Sequence, residues 1–200
     1  MSTLIDKNIL GEFVGHGQTM INKLIPKSIG IFVWRVIRGR LPVRLELDKR
    51  GVDLNSVRCL VCDNDLESIE HILLGCTFAN EVWSRVCHWW CRNTPFILTD
   101  FPTIFSLENG NNLTVQRNMV WQAVRWITGY QIWKNRNEKV FKNISKSSEE
   151  IFNEIQVKSF EWISKRAKTF GSMASVANKS DFLRGLGDGE NLNWLTSLNS

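Results

Sequence analysis

Cys59-Leu60-Val61-Cys62, followed by His71 and Cys76, is the stretch whose reading decides the fold. Written as spacing it is C-x2-C-x8-H-x4-C. Three thiols and one imidazole fall in two tight pairs, and Cys3His is one of the standard closed ligand sets for structural Zn²⁺. The Cys59/Cys62 pair fits a knuckle turn whose backbone curls around a metal. A helix over Glu67 to Leu74 would release His71 near its end, with Cys76 just beyond Gly75, a residue suited to a left-handed helix stop. The competing reading is four unrelated residues, since cysteine is often a small buried hydrophobe. The paired spacing favours one structural zinc ion. A disulfide ranks below it, because nothing in the chain points to secretion.

The composition agrees with an intracellular globular chain. Apolar residues make up 43% of the 200, enough for a sizeable core. Five cysteines, an odd number, suit a reducing compartment with one metal site better than a disulfide framework. The first residues, Met1 to Lys7, are polar and do not form a secretory leader. The apolar run Ile29 to Trp34 is too short to span a bilayer. A soluble protein of the nucleus or cytoplasm is therefore expected, neither secreted nor held in a membrane.

Working outward from the cysteines, the charge divides sharply. From Lys23 to Arg58 there are nine Lys and Arg against Glu46, Asp48 and Asp53, whereas Cys59 to Glu81 holds five acids and no Lys or Arg. The segment before the knuckle is basic and the knuckle is acidic. Pro26 is placed to open a largely buried helix ending at Gly39, and Pro42 to open a short one ending at Gly51. Arg35 and Arg38 would share one exposed face of the first helix, beside Arg40, Arg44, Lys49 and Arg50.

After the knuckle, Phe78, Val82, Trp83, Val86, Trp89 and Trp90 recur at helical steps across Thr77 to Cys91. Cys87 and Cys91 are four apart with His88 beside them, but a good fourth ligand for a second metal is missing, so buried thiols are the default. A long helix is predicted over Thr114 to Asn143, its apolar side built from Val115, Met119, Ala123, Trp126, Tyr130, Trp133 and Val140 and widened by Val120, Val124, Ile127 and Phe141. Ser147-x-x-Glu150 is a capping box opening a last helix to about Lys168, which would fold back as an antiparallel hairpin. The expected fold is mainly α, with a small Cys3His knuckle embedded between helices and followed by a long helical hairpin. Its parts are an arm at 1–22 with a helix over Thr3 to Phe13, a zinc module at 23–92, a connecting loop at 93–113, the hairpin at 114–170 and a disordered tail at 171–200.

These residues carry a resemblance. Ile25-Pro26-Lys27 with Ile31-Phe32-Val33-Trp34-Arg35, then Arg40-Leu41-Pro42-Val43-Arg44, Leu47 and Arg50-Gly51-Val52, resembles the opening of the zinc-binding module of plant non-LTR (LINE-type) retrotransposon reverse transcriptases. The pattern continues through Cys59-x2-Cys62, Glu67-Ser68-x2-His71-Ile72-Leu73, Cys76 and Ala79-x3-Trp83. Ile132-Trp133-Lys134-x-Arg136-Asn137-x3-Phe141 and Ser159-Phe160-x-Trp162-Ile163 resemble segments downstream of that module. The resemblance implies a zinc-binding part lying C-terminal to a polymerase and helping it hold nucleic acid, with Cys59, Cys62, His71 and Cys76 as ligands.

Catalysis is not expected. Polymerase chemistry needs a carboxylate cluster around two metal ions, and the chain contains no Asp-Asp pair. No phosphate-cradling G-x4-G-K-[ST] is present. A closed Cys3His site keeps no open position for water. Non-specific RNA or DNA binding through phosphate is the first functional expectation, on Lys27, Arg35, Arg38, Arg40, Arg44 and Arg50. The same charges would serve equally as the solvated side of two helices. A structural module docking a reverse transcriptase body, or a decayed element fragment without a selected role, are the alternatives.

Overall fold

The computed structural model describes residues 22–90 and 115–169. The predicted arm helix at Thr3 to Phe13, the 93–113 connection, Cys91 and the tail after residue 170 lie outside that range. The chain is mostly helical, with the Cys3His cluster set between helices, as the sequence pattern predicts. Among the described residues the helices are, in order, α1 (Lys27–Ile37), α2 (Arg44–Asp48), α3 (Thr77–Trp90), α4 (Val115–Lys142) and α5 (Ser148–Thr169), with a π-helical turn (His71–Gly75) between α2 and α3.

Pro26 precedes α1 in an extended conformation and so sits just outside the helix. Ile29, Phe32, Val33 and Val36 form the buried stripe, while Ile37 is 45% exposed and Arg35 and Arg38 are open to solvent. The helix is thus one-sided, not largely buried as its apolar content suggests. Gly39 ends it at φ 63°. There the Gly39 amide donates to the Val36 carbonyl at 3.0 Å and the Arg40 amide to Arg35 at 2.7 Å, the paired bonds of a Schellman stop. Gly51 closes α2 in the same way at φ 78°, with its amide on Asp48 and that of Val52 on Leu47.

α4 is the long support. It packs on α5, α1, α3 and the π-helical turn, and α5 also packs on α3. Val120, Trp121, Ala123, Val124, Trp126, Ile127 and Ile132 meet Ile151, Ile155 and Ile163 in a core continuous with the buried side chains of α1 and α3. Asn143 adopts φ 54° and ends α4. A tight return follows, in which the Lys146 amide donates to Asn135 Oδ1 at 3.1 Å. The predicted capping box opens α5. The Ser147 amide donates to Glu150 Oε2 at 2.8 Å and the Glu150 amide to Ser147 Oγ at 3.2 Å. Hydrogen bonds from the Ser147 amide and hydroxyl hold the Glu150 carboxyl below its ordinary range.

Two features depart from the apolar pattern. Phe141, assigned to the inward stripe of α4, is 78% exposed. Conversely, α4 buries Gln122, Arg125, Thr128, Gln131, Asn135 and Arg136. Arg136 is the consequential one. Its guanidinium donates from Nε to Glu67 Oε2 at 3.2 Å and from Nη2 to Glu67 Oε1. Glu67 is fully buried, and its Oε1 also accepts the Arg44 backbone amide at 2.9 Å. Removing either charge strands the other in a dry site, at a cost of about 3–5 kcal/mol. Glu67→Gln and Arg136→Gln are each expected to lower unfolding free energy by that order in denaturant titrations. The Glu67→Gln/Arg136→Gln double variant should lose clearly less than the sum of the single losses.

Candidate metal centre

The cluster is assembled by a short knuckle and one irregular turn. In the knuckle the Cys59 amide donates to the Asp65 carbonyl at 2.8 Å and the Asp63 amide to the Cys59 carbonyl at 2.9 Å. Asp63 takes φ 55°, turning the chain back after Cys62. Arg58 and Leu66 face each other in an antiparallel bridge that closes the loop's neck. The Arg58 guanidinium adds a bond to the Asp63 carbonyl at 2.8 Å.

The second pair comes from the segment predicted to be an ordinary helix over Glu67 to Leu74. Instead, His71–Gly75 is π-helical. The Cys76 amide reaches the His71 carbonyl at 2.7 Å, five residues back, and this wider ring sets the spacing of the two ligands. Gly75 is therefore not the left-handed stop expected of it; positive φ occurs at Gly39 and Gly51 among the described glycines. A Cβ at Gly75 would lie 3.5 Å from His71 Nδ1, an ordinary contact. Ser68 Oγ accepts the His71 amide at 2.9 Å, and the Trp83 indole donates to the Leu73 carbonyl at 2.8 Å, tying the turn to α3.

Together these segments bring Cys59, Cys62, His71 and Cys76 to one point. One ligand atom from each lies within 4.8 Å of all the others. Cys62 Sγ and His71 Nε2 are 3.2 Å apart. Bond lengths of roughly 2.0–2.3 Å to a tetrahedral zinc place its ligand atoms about 3.3–3.8 Å from one another, close to this spread. Cys59, His71 and Cys76 are buried and Cys62 partly so. His71 presents Nε2 to the sulfur side, while Nδ1 lies 3.6 Å from Asp65 Oδ2. A carboxylate behind a ligating imidazole fixes its tautomer and orientation. Asp65's place behind His71 is a relation that the ligand spacing does not reveal.

The electrostatics of the thiols fit a cation. The Cys76 side chain hydrogen-bonds Cys59 and draws the Cys59 thiol down to about 5, and the same contact with burial pushes Cys76 upward. Two sulfurs thus compete over one proton in a site that a dication would satisfy.

A family comparison agrees with this geometry. Residues 12–83 match the family described as zinc-binding in reverse transcriptase. The match spans α1, α2, the cluster and α3 as far as Trp83, and leaves α4 and α5 outside it. No curated protein and no solved structure gives a significant match to the chain. Donor set and family together identify Cys59, Cys62, His71 and Cys76 as the holders of one zinc ion. With four protein ligands its contribution is structural.

Of the basic residues predicted to meet phosphate, Lys27, Arg35, Arg38, Arg40 and Arg50 are exposed. Arg44 is different. It is half-buried, and its Nη1 donates to the Ser56 and Arg58 carbonyls at 3.1 and 3.2 Å, bracing the approach to the knuckle. His88 on α3 is exposed, while Cys87 is half-buried and is not part of the Cys3His group. Among the described residues the Cys3His group is the cluster able to hold a metal.

Zinc analysis of the purified chain is expected to give one ion per chain. Cys59→Ser/Cys62→Ser should remove it and, with it, folding free energy on the order of 10 kcal/mol, read as lost helicity. Binding must strip the Cys76 proton, whose pKa is raised, so affinity should rise with pH and loading should release protons into weakly buffered solution. Helicity and melting temperature unchanged by a strong chelator would contradict a structural ion.

Proposed function

We propose that this chain is a non-catalytic, zinc-stabilised module that holds RNA or DNA through phosphate contacts, as part of a plant LINE-type reverse transcriptase. The matched family is a zinc-binding domain and not a polymerase catalytic domain. Among the described residues, no helix is long and apolar enough to cross a membrane.

The observation that carries the nucleic-acid reading is the outer face of α1 and its continuation. Lys27, Arg35, Arg38 and Arg50 are exposed, and none has a carboxylate within ion-pair distance among the described residues. Elsewhere Lys49 is matched with Glu46, Lys134 with Glu138 and Lys158 with Glu161, whereas Arg85 on α3 and Lys139 and Lys142 on α4 show no ion pair among the described residues. A face whose cations lack internal acids is the complement of a polyanion. Arg40 is pre-set by lying over the Trp34 ring at 5.4 Å, which restrains its guanidinium. Arg44, engaged by backbone carbonyls, supports the face instead of contacting ligand.

Phosphate contacts position a nucleic acid without reading its bases, so affinity should be insensitive to sequence and steep in salt. Each neutralised phosphate contributes roughly 0.9 to the log–log salt slope on duplex. In anisotropy titrations, an Arg35→Gln/Arg38→Gln variant is expected to flatten that slope by about 2 with the melting temperature unchanged. A chain that binds no nucleic acid at low salt but captures a reverse transcriptase polymerase domain would make it a docking module instead.

A further inference from the structure

We infer that the groove between α1, α2 and α4 receives an unpaired nucleotide of a single strand, the base against its aromatic wall and a neighbouring phosphate on Arg35. This rests on the nucleic-acid reading above and adds which form of nucleic acid the site takes. The groove encloses about 620 Å³, within the range of small-ligand sites. Its wall is aromatic on one side. Phe32 and Tyr130 meet edge-to-face with ring centroids 5.6 Å apart. Trp133 lies beside them with the Arg136 guanidinium 5.0 Å from its ring centroid. Phe141 stands on the rim, 78% exposed. A large ring at that exposure gains nothing from the core, but it is available to stack on a flat partner.

Charge selects the partner. Among the described residues, Arg35 lines the same groove as an exposed cation with no carboxylate in ion-pair distance, and no aspartate or glutamate lines the groove. A ligand that pairs a flat apolar face with an adjoining anion satisfies both surfaces, and a nucleotide in a single strand does so. Base–aromatic stacking is sequence-tolerant because every base has a π-face. A base inside a duplex is already stacked and must be extruded at a cost of a few kcal/mol before it reaches such a wall. The groove therefore separates single strands from duplexes, a distinction that the outer basic face cannot make.

The test uses the zinc-loaded full chain, a labelled single strand of mixed sequence and the same sequence as a duplex, at one salt concentration. The single strand is expected to bind about ten-fold more tightly. Phe141→Ala should weaken single-strand binding about ten-fold, leave duplex binding and melting temperature unchanged, and be rescued by Phe141→Trp. A strand carrying iodouracil should photo-crosslink at Tyr130, Trp133 or Phe141. Equal affinity for the two forms, or Phe141→Ala binding like the parent with crosslinks elsewhere, would overturn the groove assignment while phosphate binding stands. A polypeptide segment occupying the groove would produce that same pattern. Binding of neither form would overturn both readings.

Discussion

A carboxylate with no exposed surface survives in a folded chain only when its charge and its lone pairs are met from several directions at once. The Glu67 carboxylate is met from two, and its backbone adds a third tie. Arg136 approaches from α4, the Arg44 amide opens α2, and the residue's own backbone bonds Val57 through its N–H and Leu45 through its carbonyl. One residue therefore joins the short basic helix, the strand-like approach to the knuckle and the long support helix. Its neighbours inherit that placement. Ser68, next in the chain, holds the first amide of the π-helical turn, and His71 follows three residues later. The metal ligands on that turn are oriented by a segment anchored to the rest of the protein through a buried ion pair.

The cluster and the ion pair act on different problems. The zinc site closes a small loop in which a hydrophobic core cannot form: Asp63, Asn64, Asp65 and Leu66 are all exposed. The ion pair attaches that loop to a body whose core is built from the tryptophans and branched aliphatics of α1, α3, α4 and α5. Trp83 connects the two, fully packed on one side and donating its indole hydrogen to the Leu73 carbonyl on the other. Neither device needs the sequence between them to be strongly apolar, which is why a run of five acids is tolerated from Cys59 to Glu81.

The helices and the ligand set were legible because each follows from local chemistry. Val82, Trp83 and Val86 repeat at helical spacing, Ser147 and Glu150 form a reciprocal cap, and two Cys followed by His and Cys have a spacing with a known tetrahedral solution. What was not legible depends on partners far along the chain. Glu67 and Arg136 were both visible as members of a resembling pattern, yet nothing local says that residues 69 positions apart share a hydrogen bond. The π-helical turn has the composition of an α-helix; its extra residue per turn comes from the ligand positions and the Cys76 amide, not from propensity. Phe141 illustrates the converse error. It continues the apolar stripe of α4 along the sequence, yet the ring stands 78% exposed at the groove between α1, α2 and α4.

Charge geometry also argues for which side of the molecule a nucleic acid would approach. Three thiolates around one dication leave the metal centre net negative, and the surrounding exposed acids, Asp63, Asp65 and Glu70, add to it. The knuckle, often the natural suspect in a zinc module, would repel phosphate here. The cations lie just beyond the end of α1 (Arg38, Arg40) and on α1 itself (Lys27, Arg35), a separate element whose inward face is held by Phe32, Val33 and Val36 against α4. Under the proposed function, the metal does not touch the ligand. It holds the acidic loop compact so that its field stays local within a screening length of about 8 Å, and the basic face keeps its attraction. An orientation fixed by repulsion at one end and attraction at the other follows from the same division of charge that is written along the chain between Lys23 and Glu81.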